Sequence, residues 1–338
     1  MNTEFHYYIT GIVARASGFD EKEAVAIATA SEFVDENDAG FFIKDRSTGE
    51  SYEVYLSQTM NILKPKHKLM RIYPIFHFMP GDPLCDSACR RDGKMHLLNT
   101  TPGNDSVNEL LDRACKSTED VRLHRIGVAT HVYADSWAHQ NFVGWYDHFN
   151  HIGVDLKPNI GHADAEHHPD WVSHRWEDIR CIDDEVDNSE RFIEAARNLY
   201  GMYRSFLKAR KIRASRSWRA LEENLRKIFG RSRSGPYNLG GEERIEGYRK
   251  LAPWLGSFEK DRWFDEAVET KIYGLKDRGK GVAGNICLFK DRYFWREDAT
   301  KEETNWFRFQ EAVKAHQRDA MILLKPRFDR MGEDLHRH

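Results

Sequence analysis

The stretch His131-x-x-x-Asp135-x-x-x-His139 constrains this chain more than any other part of it. Read as a helix at about 100° per residue, it places two imidazoles and a carboxylate within roughly 80° of one another. Gly127, Val128, Ala134, Ala138 and Phe142 complete the same stripe. Small apolar residues let other backbones approach, so this stripe faces inward. Two imidazoles and an acid buried there are costly unless they are paired or bound to a cation. Neutral imidazole and carboxylate are ligands that Zn²⁺ takes, so a metal site is the sharper expectation. A hydrogen-bonded His–Asp–His ladder is the plainer one. The chain's histidines are concentrated around this helix: of 16 in all, 12 lie between His67 and His174.

Other donors follow from local pattern. Asp20 and Glu23 form a D-x-x-E capping pair that opens a helix from about Glu21 to Asp35, and Asp35 shares a face with Ala24, Ala28 and Ser31. His162-x-x-x-Glu166 sets two donors one turn apart on a short helix near 160–167, with Asp164, His167 and His168 as rivals. His77, in Ile75-Phe-His-Phe-Met-Pro-Gly, and His6, at the edge of the first helical stripe, each read alone as core residues. Tyr133, Trp137, Phe142 and Trp145 fit a packed core better than a pocket lining.

Length and composition bound the rest. At ~150 residues per domain, 338 residues allow about two. A net charge of −3 argues against a globally basic nucleic-acid binder, though not against local patches. No run approaches the ~18 apolar residues of a membrane span, and Met1-Asn2-Thr3-Glu4 lacks a leader pattern, so a soluble, cytoplasmic protein is expected. Five cysteines are too few and too scattered for a disulfide framework. Helical periodicity recurs at roughly 189–211, 215–229, 242–252, 258–275 and 302–324, while 40–55 alternates like a hairpin around Ser47-Thr48-Gly49. The expected fold is an all-α multi-helix bundle: a metal-binding domain over 1–187, and a C-terminal helical region over 188–338 packed on it.

Charge is unevenly spread. Asp164 to Glu190 carries ten acids against Arg175 and Arg180, and Arg204 to Arg233 carries eleven Lys/Arg against Glu222 and Glu223. Two solvated surfaces that attract each other are the plain reading, and a basic segment that draws an anionic substrate or partner is the sharper one. Gly279, Gly281 and Gly284 fit a dinucleotide-binding pattern on paper, but a charged helical stretch precedes them where a strand is required. No P-loop, His-Glu-x-x-His or Gly-x-Ser-x-Gly motif is present.

Taken in order, the donors resemble those of the zinc-dependent phospholipase C and single-strand-specific zinc nuclease superfamily. More closely, the chain resembles a bacterial family known only as a domain of unknown function. The likeness runs from about His6 to Glu166 and implies an all-α phosphoesterase fold with two or three zinc ions. It implies one ion on Asp35, His77, His131 and Asp135, a second on His139, His162 and Glu166, and a third shared by His6 and Asp135. In secreted relatives an N-terminal Trp binds that third ion, where this chain has Met1. The likeness also implies that Asp35 orients the attacking water or takes its proton. The function expected is metal-dependent hydrolysis of a phosphate-containing substrate, with nucleic acid, phospholipid and small phosphoester all open. The alternative is a non-catalytic, metal-stabilised helical module that binds a partner through its basic helices.

Overall fold

The computed structural model describes residues 1–59, 69–153, 159–273 and 290–332. The glycine pattern at Gly279, Gly281 and Gly284, together with Cys287 and His67, lies outside the described residues. The chain opens with a π-helical stretch, Glu4–Ile9, that runs directly into helix α1, Thr10–Ser17. Gly18, at φ 120°, ends α1, and a Cβ there would stand 2.5 Å from the Arg213 carbonyl oxygen. Helix α2, Glu21–Glu36, begins with the expected capping box: Asp20 Oδ1 accepts from the Glu23 amide and Glu23 Oε2 from the Asp20 amide, each at 2.8 Å.

A single turn, α3 (Tyr73–Phe76), precedes α4 (Asp105–Cys115) and the long α5 (Glu119–Ala138). The second half supplies α6 (Asn188–Ala209), α7 (Trp218–Phe229), α8 (Gly241–Leu251), α9 (Arg262–Ala267) and α10 (Asn305–Met331). No described helix is long and apolar enough to cross a membrane.

The all-α expectation is corrected by two sheets. Strands β1 (Phe42–Lys44) and β2 (Ser51–Glu53) form the hairpin that the alternation at 40–55 predicts. Strands β3 (Arg175–Glu177) and β4 (Glu185–Asp187) pair antiparallel by themselves. Strands β5 (Val268–Tyr273) and β6 (Lys290–Trp295) extend the hairpin into a mixed four-stranded sheet, ordered β2-β1-β6-β5, with β1 parallel to β6. The helix expected over 258–275 therefore stops at Ala267. Beyond it, Val268, Thr270 and Ile272 alternate, and β-branched side chains favour the pleated strand over a helix.

The sheet joins segments from both halves of the sequence, and one large buried cluster runs from Phe5 and Ile27 through Val132 to Phe192, Tyr248 and Phe309. Acidic and basic segments also meet: Arg226 on α7 holds Glu190 at 2.7 Å, and Ser232 donates to Asp187 at 2.6 Å.

Candidate metal centre

Helices α2 and α5 cross at Gly127. A Cβ at this position would stand 2.5 Å from both the Ile27 carbonyl oxygen and Ala30 Cβ, so only glycine allows the approach. One turn further along α5, His131 reaches the opposite backbone and its Nδ1 donates to the Ser31 carbonyl at 2.8 Å. Asp35 follows one turn on from Ser31 and faces the same space. His77, at the end of α3, donates from Nε2 to the Ser57 carbonyl at 2.9 Å. Each of these two imidazoles thus spends one N–H on a main-chain oxygen, which fixes the ring and leaves the other nitrogen directed inward.

The inward nitrogens converge. His77 Nδ1 and His131 Nε2 stand 3.2 Å apart, and Asp135 Oδ2 lies 3.2 Å from each. Asp35 Oδ1 lies 3.7 Å from both. The other oxygen of Asp135, Oδ1, lies 3.1 Å from His6 Nε2, whose ring stacks on His131 at 3.8 Å between centroids. His6 Nε2 is also 3.9 Å from Asp35 Oδ2. Asp135 therefore presents one oxygen to His77 and His131 and the other to His6. The structure brings His6, Asp35, His77, His131 and Asp135 together, nearly all buried.

A second group adjoins the first. His139 is the residue that caps α5 rather than a further turn of it: its amide donates to the Asp135 carbonyl at 2.8 Å. Its Nδ1 faces the His77 carbonyl at 2.8 Å, leaving Nε2 3.2 Å from Asp170 Oδ1. His162 repeats the device, with Nδ1 2.6 Å from the Glu166 carbonyl and Nε2 3.4 Å from Asp170 Oδ2. The short helix expected at 160–167 is a single 3-10 turn, Ala163–Ala165, and Glu166 follows it at φ 53°. That backbone turns the Glu166 side chain to the exposed surface, outside the donor groups among the described residues. Asp170 takes the place assigned to Glu166. It stands eight positions after His162, across two separate 3-10 turns rather than along one helix, so helical periodicity does not announce it.

Three sets of donors result: His6, Asp35 and His131; His77, His131 and Asp135; and His139, His162 and Asp170. The Met1 nitrogen also lies in this region, ion-paired to Asp135 and 3.3 Å from Asp170.

The charges respond strongly to one another. Burial disfavours ionised Asp135 and Asp170, yet the surrounding imidazoles and the Met1 ammonium hold both well below the usual carboxylate range. Asp35 is lowered too, against burial, by His131, His6 and His77. Burial lowers His77, but Asp135 and Asp35 outweigh it and raise the imidazole overall. His6 drops to about 3 through burial, His131 and the Met1 ammonium. That ammonium rises to about 10, because Asp135, Asp170 and Asp35 overcome its burial.

The donors open into a cavity of about 390 Å³. Asp35, His77, Asp135, His139, His162 and Asp170 reach it, and Tyr73, Phe78 and Trp171 supply aromatic wall. Tyr133, Trp137, Phe142 and Trp145 are core side chains and do not line it.

Fold and site together define a helix-rich protein with a buried histidine–aspartate centre open to a cavity. Over residues 1–324 the chain matches the family of unknown function DUF6765, and it belongs to that family. No curated protein and no solved structure matches it.

Proposed function

We propose that this chain is a metal-dependent hydrolase of phosphoesters, with zinc or a similar divalent ion as cofactor. One observation carries the reading. His77 and His131 each have one nitrogen facing a carbonyl oxygen, which must therefore carry the proton. Their remaining nitrogens face each other at 3.2 Å. Without a further proton, such as Asp135 and Asp35 draw to His77, the two rings oppose lone pair to lone pair beside carboxylate oxygens, and a cation held by both nitrogens would take the place of that proton. Two nitrogens bound at ~2.0–2.1 Å to one tetrahedral ion stand roughly 3.3 Å apart, so the spacing fits. The donor chemistry fits as well: imidazole with carboxylate and no cysteine is the mixture of hydrolytic centres, whereas structural zinc usually closes with thiolates.

Each set offers three protein donors and reaches a cavity, which leaves room for water and substrate and favours an enzyme over a closed, purely structural module. Bound divalent ions supply Lewis-acid polarisation of a phosphoryl oxygen and lower the pKa of water. Among the three acids, Asp35 is suited to accept the proton of that water: its side chain is 31% exposed, against 2% for Asp135 and 11% for Asp170. Gln58 Nε2 donates to Asp35 Oδ1 at 3.3 Å and holds it in orientation. His167 lines the cavity, is raised by its contact with Asp170, and can hold a proton for the leaving oxygen. The order of donors along the chain, close to that of the zinc phospholipase C and nuclease superfamily, supports the same reading.

Elemental analysis tests it. At least one, and more in keeping with three donor sets two, zinc-like ions per chain are expected after purification without chelator. Activity on an activated phosphoester should vanish with chelator and return with Zn²⁺. A content below about half an equivalent would leave the Met1 ammonium and protonated imidazoles as the counter-charges of Asp135 and Asp170, and would overturn the proposal.

A further inference from the structure

The end of α6, the connection after it and the first turn of α7 carry Lys208, Arg210, Lys211, Arg213, Arg216 and Arg219, all exposed, and none has an ion pair among the described residues. Like charges this close repel, and a mobile loop would spread them. This one is held. The Ser215 and Arg216 amides donate to the Ala16 carbonyl at 3.0 and 3.1 Å. Arg204 clamps the Ser17 and Ile212 carbonyls at 2.6 and 3.0 Å, and Tyr200 Oη donates to the Arg216 carbonyl at 2.8 Å. The Arg210 guanidinium lies over the Phe206 ring at 5.3 Å. The main chain is thereby fixed by amides, Tyr200 and Arg204, none of which brings a carboxylate to the exposed cationic side chains.

Beside this rim lies a cavity of about 250 Å³, separate from the metal centre. Arg15, Arg216 and Ser215 line it with Glu21, and the half-buried Trp254 forms part of its wall. A run of exposed cations next to a cavity with a tryptophan in its wall is a combination suited to a sugar–phosphate backbone and one unstacked base. Arginine outnumbers lysine four to two in the row, and its planar fork suits phosphate. Insertion into a lipid surface would need exposed large apolar side chains, and on this rim only Ile212 qualifies, at 37% exposure.

We propose that the Lys208–Arg219 rim and the Trp254 cavity form a binding site for single-stranded nucleic acid, read through phosphates and one stacked base with little sequence preference. The site shares no residue with the metal donors, so it stands or falls apart from the proposed hydrolysis.

Fluorescence anisotropy with labelled dT20 and dA20 oligonucleotides on the full chain tests the proposal. For about five phosphate contacts, affinity should fall roughly a hundredfold between 50 and 200 mM salt. The triple variant Arg210→Glu, Arg213→Glu, Arg216→Glu should bind more weakly and flatten that dependence. Lys208→Gln with Lys211→Gln, a milder pair, should reduce the slope in the same direction should the triple variant fail to fold. Trp254→Ala should weaken binding about tenfold, the worth of one stacked base, at an unchanged salt slope. Any of three outcomes overturns the site: no binding at 50 mM salt, tighter binding of duplex or of anionic phosphatidylserine vesicles than of dT20, or equal salt dependence in wild type and charge-reversed chains.

Discussion

Two buried charged clusters flank the π-helical start of the chain, and they are satisfied in different ways. In one, Glu4 meets Arg244 through both oxygens, at 2.7 and 2.8 Å, with Asn238 donating to Oε1 at 3.1 Å. One carboxylate faces one guanidinium with matched hydrogen bonds, and nothing further is required. In the other, Asp35, Asp135 and Asp170 face the imidazoles of His6, His77, His131, His139, His162 and His167, four of which turn one nitrogen to a main-chain carbonyl. The Met1 ammonium is one cation there, and the inward imidazole nitrogens are acceptors unless they take up a further proton. Burial of charge is thus no sign of chemistry by itself. Inward lone pairs with no fixed proton are what the proposed cation would answer.

The largest effect should come from the matched cluster. Arg244→Ala leaves Glu4 charged and unpaired in the interior, and unfolding free energy should drop by about 3–5 kcal/mol, equally with and without chelator, in a urea titration. A drop seen only in metal-loaded protein would mean that the two clusters are not separate. Next is a buried imidazole with no carboxylate beside it. Burial holds His124 down to about 4, with Asn305 accepting its one hydrogen bond. Its folded value lies below the unfolded ~6.5, so between these limits the unfolded chain binds the proton and the native chain does not. Stability is full above pH ~6.5 and declines as pH falls towards 4, by about 3 kcal/mol at most. His124→Gln should flatten that decline in denaturation at pH 7, 5.5 and 4.5; an unchanged slope would place the loss elsewhere.

The donor cluster should respond in proportion to metal. With free ion at 100 times its dissociation constant, loading should stabilise the chain by about 2.7 kcal/mol, and Asp135→Asn should remove most of that gain. Because Asp135 turns one oxygen to His77 and His131 and the other to His6, this variant should lower the occupancy of more than one ion. In chelator it should also be less stable than wild type, because the buried Met1 ammonium and the imidazoles that hold Asp135 ionised lose that partner, so the gain on adding metal is compared within each variant. The smallest change is expected for His139→Ala and Asp170→Asn, each costing only the ion shared with His162. If His139→Ala emptied the whole centre while Asp135→Asn retained full metal, Asp135 would not bridge.

The helical part of this centre was legible in the sequence because helical spacing is a distance. His131 and Asp135 are one turn apart wherever α5 lies, and Gly127 with Ala134 and Ala138 marks the face on which another backbone arrives. The capping box at Asp20 and Glu23 and the hairpin at 42–53 are equally local. Glu166 shows the limit of that logic. A four-residue spacing places two donors together only if the segment is helical, and a 3-10 turn ending at φ 53° breaks the premise. Strand β5 shows another: its partner β6 stands outside the window that periodicity reads, so the tail of a helical pattern became sheet.

The sequence by itself determined which side chains could bind a cation and which of them share a helix face, since residue chemistry and helical period require no partner. Tertiary structure alone decided that Asp170 completes the second set, that the Ser31, Ser57 and His77 carbonyls fix the imidazole protons, and that Arg244 neutralises Glu4. Those contacts join residues 8 to 240 positions apart, and their distances follow from how whole elements pack rather than from any local repeat.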